Sequence, residues 1–486
     1  MRQNKAHLLV LVGLPLAALL MCAGVLDSPG TAAASSGASR AFVGDYLFDR
    51  KDIGAVFLTH VYEEDGEIYA MLDIADRPMQ LEPKDAGKYE YRRKSDSGRD
   101  FAFKFIKGDG GDFEQLNMKS ESYRLDLTGT RFTEDIVRLR DYHAGRPETY
   151  AYRKPLEVEG CWEVSTLEEA GIDAAGLHLM MNDIYENYDY VHSILIVKGG
   201  KLVFEEYVNG WDPVRLHRLQ SVSKSFTSTL TGLAIEAGFI GSLKDPLYEY
   251  LPEYSSLFDD AKKGILIEHL LTMSAGFEWN EMETYYADPE ACDAHIAGAS
   301  GDFIKYVLEK PMAGEPGAAY YYNSGLPNML GYIITQESGM SFEEFSCEFL
   351  FEPLGIRRSY WQPTTGETRP SCAGGLRLMS RDMARYGQLY LRGGSWNGRQ
   401  ILSSEFVETS TTALMDTGAD GGYGYLWRTY DQEGFSAFLA SGTGGQYIVC
   451  IPATDVVVVT TAVYSTDKSD NVAGLLLKYV VPAVMQ

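Results

Sequence analysis

The chain has 486 residues, 45% of them hydrophobic, with a formal net charge of −25 and a pI of about 4.7. That length suits a large enzyme domain with a smaller module beside it, and the abundant Tyr and Phe predict packed cores rather than disorder. The acid excess excludes a nucleic-acid-binding surface, which needs a basic face, and leaves the substrate open.

Arg2 and Lys5 precede a charge-free run from Leu8 to Leu26, and the small-residue stretch Thr31 to Ser39 follows. This is the order of an export signal, so the protein is expected to be exported, to the periplasm or the medium. The run is also long enough for an uncleaved anchor, although Pro15 in its middle favours a signal. Cys22 follows Met21, where a lipoprotein site wants a small residue. Residues 1–40 therefore read as signal or anchor plus linker, and a membrane is expected only through them.

From Ala41 to about Arg146 come short β-like runs: A-V-F-L-T-H-V-Y, E-I-Y-A-M-L-D-I, Y-E-Y-R-R, F-A-F-K-F-I and S-Y-R-L-D-L. Turn formers such as E-D-G and G-D-G-G separate them. The pattern predicts a small all-β module over residues 41–150, a meander or barrel, with no helix-period segment interrupting it. A binding barrel and a structural appendage both fit, and a module fused at this place could also restrict access to a cleft in the remainder.

The remainder, residues 155–486, mixes strands and helices. S-I-L-I-V-K, the turn Gly199-Gly200 and K-L-V-F-E-E-Y predict a hairpin. A helix should start at Ser221 and end near Gly238, followed by a helical, loop-rich middle. Q-Y-I-V-C-I and D-V-V-V-V-T-T-A-V predict two strands around the turn P-A-T-D, and a last helix begins near Asn471. Strands at both ends with helices between predict one sheet built from chain-distant hairpins, with an inserted helical subdomain.

Within this domain Ser221 and Lys224, in L-Q-S-V-S-K-S-F, share one face of the predicted helix. The first helical turn adds unpaired N–H groups and a positive dipole end near the serine. Such a pair makes a nucleophile without histidine if the lysine is buried or shares its proton with a partner. Tyr322, in P-G-A-A-Y-Y-Y-N-S-G, fits the partner role, as three ordinary packing tyrosines would also fit the segment. The stretch A-S-G-T-G-G-Q-Y-I, residues 440–448, brings three glycines to a strand edge, suited to a close-approaching substrate or simply to a turn. Ser465 and Lys468 repeat the Ser-x-x-Lys spacing, but after the last strand, where they read as a polar loop and helix cap.

S-V-S-K, Y-N-S and the Gly-rich strand, in that chain order, resemble the serine β-lactamase and penicillin-binding-protein superfamily. The nearest likeness is to its class C β-lactamase-like group, which includes esterases, D-amino-acid peptidases and aminohexanoate-oligomer hydrolases. The segments H-S-I-L-I-V-K-G-G-K-L-V-F-E-E-Y, I-E-H-L-L-T-M-S-A-G-F-E-W and C-A-G-G-L-R-L-M-S-R-D-M-A-R-Y-G-Q-L carry the same likeness, over about residues 160–486. The module before it is similar to a lipocalin-like barrel. The resemblance implies an α/β fold of the α+β type, with a β-lactamase/DD-peptidase-like sheet, flanking helices and a helical subdomain. It implies that Ser221 is the acylated nucleophile, Lys224 its base partner and Tyr322 the proton relay, with the division of base work between Lys224 and Tyr322 open. It also implies that Gly445 supplies a second oxyanion N–H, with Gly444, Thr443 and Ser324 beside it in oxyanion and substrate binding.

The chain departs from the β-lactamases of that group. Ser324 replaces the Asn of Tyr-x-Asn, and Gly442-Thr443-Gly444 stands where Lys-Thr-Gly carries a cation. Losing one charge-assisted contact costs on the order of 1.5–3 kcal/mol of binding, which disfavours β-lactam hydrolysis. The expected activity is an ester or short-amide hydrolase working on a small, uncharged acyl group through a Ser221 acyl-enzyme. The alternative is a penicillin-binding or peptidoglycan-ligand-binding protein that turns over slowly or not at all. No His or Cys spacing calls for a metal and no P-loop is present, so no cofactor is expected; nothing specifies an oligomeric state. Beyond Cys22, the five scattered cysteines Cys161, Cys292, Cys347, Cys372 and Cys450 read as mostly buried thiols.

Overall fold

The computed structural model describes residues 41–485 except 51–54, 74–77, 94–100, 121–124, 133–135, 144–148, 159, 161, 286, 365–368, 420, 433 and 464–470. The expected signal or anchor over residues 1–40, Cys22, Cys161 and the Ser465–Lys468 pair lie outside the described residues.

Eight strands build the N-terminal module: β1 (Gly44–Arg50), β2 (Ala55–Glu64), β3 (Glu67–Leu72), β4 (Met79–Asp85), β5 (Glu90–Arg93), β6 (Ala102–Lys107), β7 (Phe113–Ser120) and β8 (Leu125–Phe132). Consecutive strands pair antiparallel, and β1 pairs with both β2 and β8, which closes the sheet into a barrel. Two-residue alternation turns Ile68, Ala70 and Leu72 of β3 and Phe103 and Phe105 of β6 inward. Phe42 stacks on Phe105 with ring centres 4.4 Å apart, and Phe48 on Phe57 at 5.0 Å. An eight-stranded barrel is just wide enough to be filled by side chains, and this one is filled by aromatic rings. Strands β1, β4 and β7 were not foreseen: Pro83 and charged residues interrupt β4, and a register shift at Ile106/Lys107 breaks the alternation facing β7. A helix, Ile136–His143, also follows β8, where no helical period was expected.

The predicted hairpin forms as β9 (Val191–Lys198) and β10 (Lys201–Tyr207), turning through Gly199 and Gly200 at φ +61° and +80°. Three very short strands, β11 (His217–Arg218), β12 (Tyr360–Trp361) and β13 (Leu376–Leu378), then extend the barrel sheet in the order β2-β12-β13-β11. Tyr360 registers with Ala55, and the Val56 N–H donates to the Ser359 carbonyl at 3.4 Å. Leu216, Tyr360 and Met379 sit in the barrel's own apolar core. Asp73, just after β3, accepts an ion pair from Arg358, and its carbonyl accepts the Leu216 N–H at 3.1 Å. Arg358 also donates to the Val214 carbonyl at 2.7 Å. The barrel is thus bonded to the segment that leads into Ser221.

After the small hairpin β14 (Ser395–Trp396) and β15 (Arg399–Gln400) come β16 (Met415–Ala419), β17 (Gly421–Tyr423), β18 (Arg428–Gln432), β19 (Phe435–Gly442), β20 (Gln446–Ile451) and β21 (Val456–Ala462). They join the first hairpin in an antiparallel sheet, β10-β9-β21-β20-β19-β18-β17-β16. β21 aligns against β9, so the chain-distant hairpins do share one sheet. Helices cover both faces, and β9 and β21 are therefore buried almost throughout and rich in Val, Ile and Leu. The helices Ala174–Asn187 and Asn471–Leu475 pack Met180, Ile184, Val472 and Leu475 on one side. On the other lie Ser380–Leu391 and Val222–Glu236, the latter next to Gly325–Ser338 of the helical layer. The cleft opens between β18–β19 and this layer. Among the described residues no helix is long and apolar enough to cross a membrane, and Cys292, Cys372 and Cys450 are buried free thiols.

Candidate active site

Gln220 enters the nucleophile helix with a left-handed backbone, φ +51°, a conformation a side-chain-bearing residue adopts at a cost. The turn leaves Ser221 half-buried at the helix start with no capping role, so its hydroxyl is available to the cleft. The Lys224 N–H bonds back to the Ser221 carbonyl at 3.0 Å, a tight first turn that stacks the two side chains.

Lys224 Nζ donates to Ser221 Oγ at 2.9 Å, and the Tyr322 hydroxyl donates to the same oxygen at 2.8 Å. Lys224 is 2% exposed. Its ammonium also donates to the Ala373 carbonyl at 2.8 Å and lies 4.9 Å from the centre of the Tyr322 ring. Burial lowers the Lys224 pKa to about 8, against the pull of the Glu281 carboxylate. Burial, reinforced by Glu281, raises Tyr322 well above the ordinary phenol value. Near pH 8 the lysine exchanges its proton readily while the tyrosine keeps its own.

Of the three neighbouring tyrosines, Tyr321 is exposed and Tyr320 packs its ring 5.0 Å from that of Tyr423. Tyr322 is turned inward because Gly317 closes the preceding turn at φ +82°, its N–H on the Ser274 carbonyl, and the Tyr321 N–H is fixed to Met273. The Ala373 carbonyl reaches Lys224 because Gly331 lets its loop lie against the Gly325–Ser338 helix. A Cβ on Gly331 would stand 2.1 Å from Cys372 Sγ.

The Gly-rich segment lies at the end of a strand and in the turn after it. β19 runs as far as Gly442, and Gly444 and Gly445 form the turn into β20 at φ +89° and +96°. The Gly445 N–H lies 3.3 Å from the Gly442 carbonyl, and a Cβ there would meet Val472 and Ala462, so the turn requires glycine at 445. Leu439 and Ser441 are the β19 residues that line the cleft. Thr443, the first residue after the strand, is half-buried. Gly442 backs onto the Leu219 carbonyl and Gln220, where a Cβ would clash at 2.5 Å, so only glycine lets the strand end beside the nucleophile turn.

The Ser324 hydroxyl donates to Glu281 Oε1 at 2.5 Å and its N–H to Glu281 Oε2 at 2.8 Å, while Trp279 Nε1 also donates to Oε2 at 2.8 Å. Glu281, 5% exposed, escaped the sequence reading; the only hint was its place in G-F-E-W-N-E, directly after the segment that fixes Tyr322. Because its charge raises the Lys224 pKa, Glu281→Gln should move the acid limb of kcat/KM to lower pH. The loss of charge-assisted bonds should also cost about 1–3 kcal/mol of stability. A pH–rate profile superimposable on the wild type would exclude this electrostatic role.

Among the described residues no cluster of three or more His, Cys, Asp and Glu is arranged to hold a metal ion. What remains is an oxygen nucleophile bonded by an amine of lowered pKa and a phenol, at a strand edge: the layout for acyl transfer.

Known proteins are similar to this chain. The 6-aminohexanoate-dimer hydrolase of Paenarthrobacter ureafaciens is 29% identical over 290 residues, spanning 55% of this chain and 71% of its own. The lovastatin esterase of Penicillium rubens is 25% identical over 224 residues, 41% of this chain and 55% of the esterase. The octameric penicillin-binding protein homologue of Pyrococcus abyssi superposes with a TM-score of 0.52 at 21% identity, covering 64% of this chain and 78% of that one. The Beta-lactamase family pattern matches residues 191–480, from β9 to the final helices. The chain belongs to the Beta-lactamase family.

Proposed function

We propose that the protein is an exported serine hydrolase that cleaves esters or short amides through a Ser221 acyl-enzyme, with β-lactam hydrolysis weak or absent. The observation that carries this reading is the convergence of Lys224 Nζ and the Tyr322 hydroxyl on Ser221 Oγ. Neutral Lys224, roughly one molecule in ten at pH 7 for a pKa near 8, accepts the Ser221 proton as Oγ attacks the substrate carbonyl carbon. Tyr322 passes a proton to the leaving oxygen or nitrogen as its bond to the acyl carbon breaks, and the Lys224 proton replaces it. Water then attacks the acyl-serine, giving its proton back through the same pair and releasing the acid. Relatives named as a 6-aminohexanoate-dimer hydrolase and a lovastatin esterase support this acyl chemistry. The charge-free run behind Arg2 and Lys5 supports export, and the missing cation at Gly442 supports the weakness toward β-lactams.

Intact-mass analysis with a fluorophosphonate tests the nucleophile. The wild type should gain one phosphonyl group and hydrolyse p-nitrophenyl butyrate, and Ser221→Ala should do neither. A chromogenic cephalosporin and a D-amino-acid amide, assayed alongside, rank the acyl classes. Absence of any adduct with reactive esters and phosphonates overturns the hydrolase reading, and a burst without steady-state turnover selects a binding protein instead.

A further inference from the structure

The Ser221 cleft holds a second cation that the acyl-transfer step does not use. Arg428 opens β18, in register with Tyr423 of β17 and Leu439 of β19. It lines the cleft together with Ser221, Lys224, Tyr322, Leu439 and Ser441. The guanidinium is half-buried, 5.8 Å from the centre of the Tyr423 ring.

Its surroundings are phenols. Among the described residues its strongest electrostatic neighbours are Tyr320, Tyr423, Tyr322 and Tyr447, and no carboxylate forms an ion pair with it. Other deeply placed arginines of this chain are matched differently: Arg358 faces Asp73, Arg381 faces Glu205 and Arg385 faces Asp382. In a chain with 68 carboxylates against 43 basic residues, a desolvated guanidinium facing an open cleft without a counter-ion is costly unless a ligand supplies the anion. Lys224 cannot be that receptor throughout the cycle, since it must shed its charge for the serine to react.

We propose that Arg428 receives a carboxylate carried by the substrate, so that the preferred substrates are carboxylate-bearing esters or amides rather than neutral ones. The planar fork of the guanidinium offers two parallel N–H donors to the two carboxylate oxygens and fixes the distance between that group and the scissile bond. The cation enters from β18, one strand away from Gly442, and so selects an anion placed differently from that of a β-lactam. Packed phenol rings around the guanidinium hold it without neutralising it. This inference rests on the Ser221 hydrolase reading and narrows its substrate class.

Two ester pairs test it with the full chain. Mono(4-nitrophenyl) glutarate against 4-nitrophenyl butyrate places the anion on the acyl side, and 4-butyryloxybenzoate against its methyl ester places it on the leaving side. In at least one pair the anionic member should have a kcat/KM about tenfold or more above the neutral one, a preference that weakens as salt is added. In Arg428→Gln that ratio should fall ten- to a hundredfold, and Arg428→Lys should keep part of it. A ratio in Arg428→Gln within twofold of the wild type, or no anionic preference in either pair, overturns the proposal. Phosphonylation of Ser221 is followed in each variant. An unlabelled wild type defeats the hydrolase reading itself, whereas labelled proteins with unchanged ratios defeat only the role of Arg428.

Discussion

Replacing Lys224 with Met should lower kcat/KM for an activated ester by about 10³–10⁴, the upper range for removing a general base, while making the protein more stable. The two effects have one cause. An ammonium with 2% exposure, held by one carbonyl and one hydroxyl, is poorly solvated, and its pKa falls to about 8. The unfolded chain holds that proton up to about pH 10.4. Between these values the unfolded state binds more protons, so stability rises with pH across that window. Below about pH 8 the folded protein carries the whole cost, on the order of 3 kcal/mol. Lys224→Met removes this cost, and its melting temperature should lose the upward slope between pH 8 and 10.4 that the wild type shows. Matching slopes in the two proteins would mean that the lysine is not desolvated. In the wild type kcat/KM should climb with pH through a midpoint near 8, since only the neutral amine can take the serine proton.

Arg358→Ala should destabilise the protein by about 3–5 kcal/mol, because it leaves the Asp73 carboxylate buried without its cation. Both side chains are 5% exposed or less, and the same guanidinium holds the Val214 carbonyl. The effect should reach catalysis as well. Val214 and Leu216 lie on the short path to Ser221, so kcat should fall more than KM rises, as expected when a nucleophile loses its aim. A double-mutant cycle separates the charge from the packing. Asp73→Asn combined with Arg358→Met should be milder than Arg358→Ala alone, because no isolated charge remains. Urea unfolding measures the first effect and steady-state kinetics the second. A loss below 0.5 kcal/mol, in the range of an ordinary surface substitution, would show that the barrel contact is incidental.

Much of the reacting centre was legible because it rests on local geometry. Ser221 and Lys224 meet through helical spacing, while Tyr322, aimed by the turn at Gly317, stood out from its two neighbours only through the family resemblance. Residues brought in by long-range pairing left no such trace. Arg428 reaches the cleft only through the register of β18 against β19. The Ala373 carbonyl arrives because a glycine on a neighbouring helix makes room, and Glu281 lies in a loop with no periodicity. The Gly-rich stretch was legible as a strand edge or turn but not in its register: β19 ends at Gly442, and Gly444 and Gly445 form the turn into β20. Strands β11, β12 and β13, of two or three residues, are too short to show a period of any kind.

Those three short strands have a consequence for how the family region is delimited. The matched segment begins at residue 191 and omits the barrel. Cut there, β12 would lose its partner on β2 and the apolar undersides of Leu216, Tyr360 and Met379 would face water. A free edge beside newly bared apolar side chains is a template for self-association. The barrel therefore acts as an intramolecular shield for the hydrolase, and a fragment chosen by family boundaries alone is a recipe for aggregate rather than enzyme.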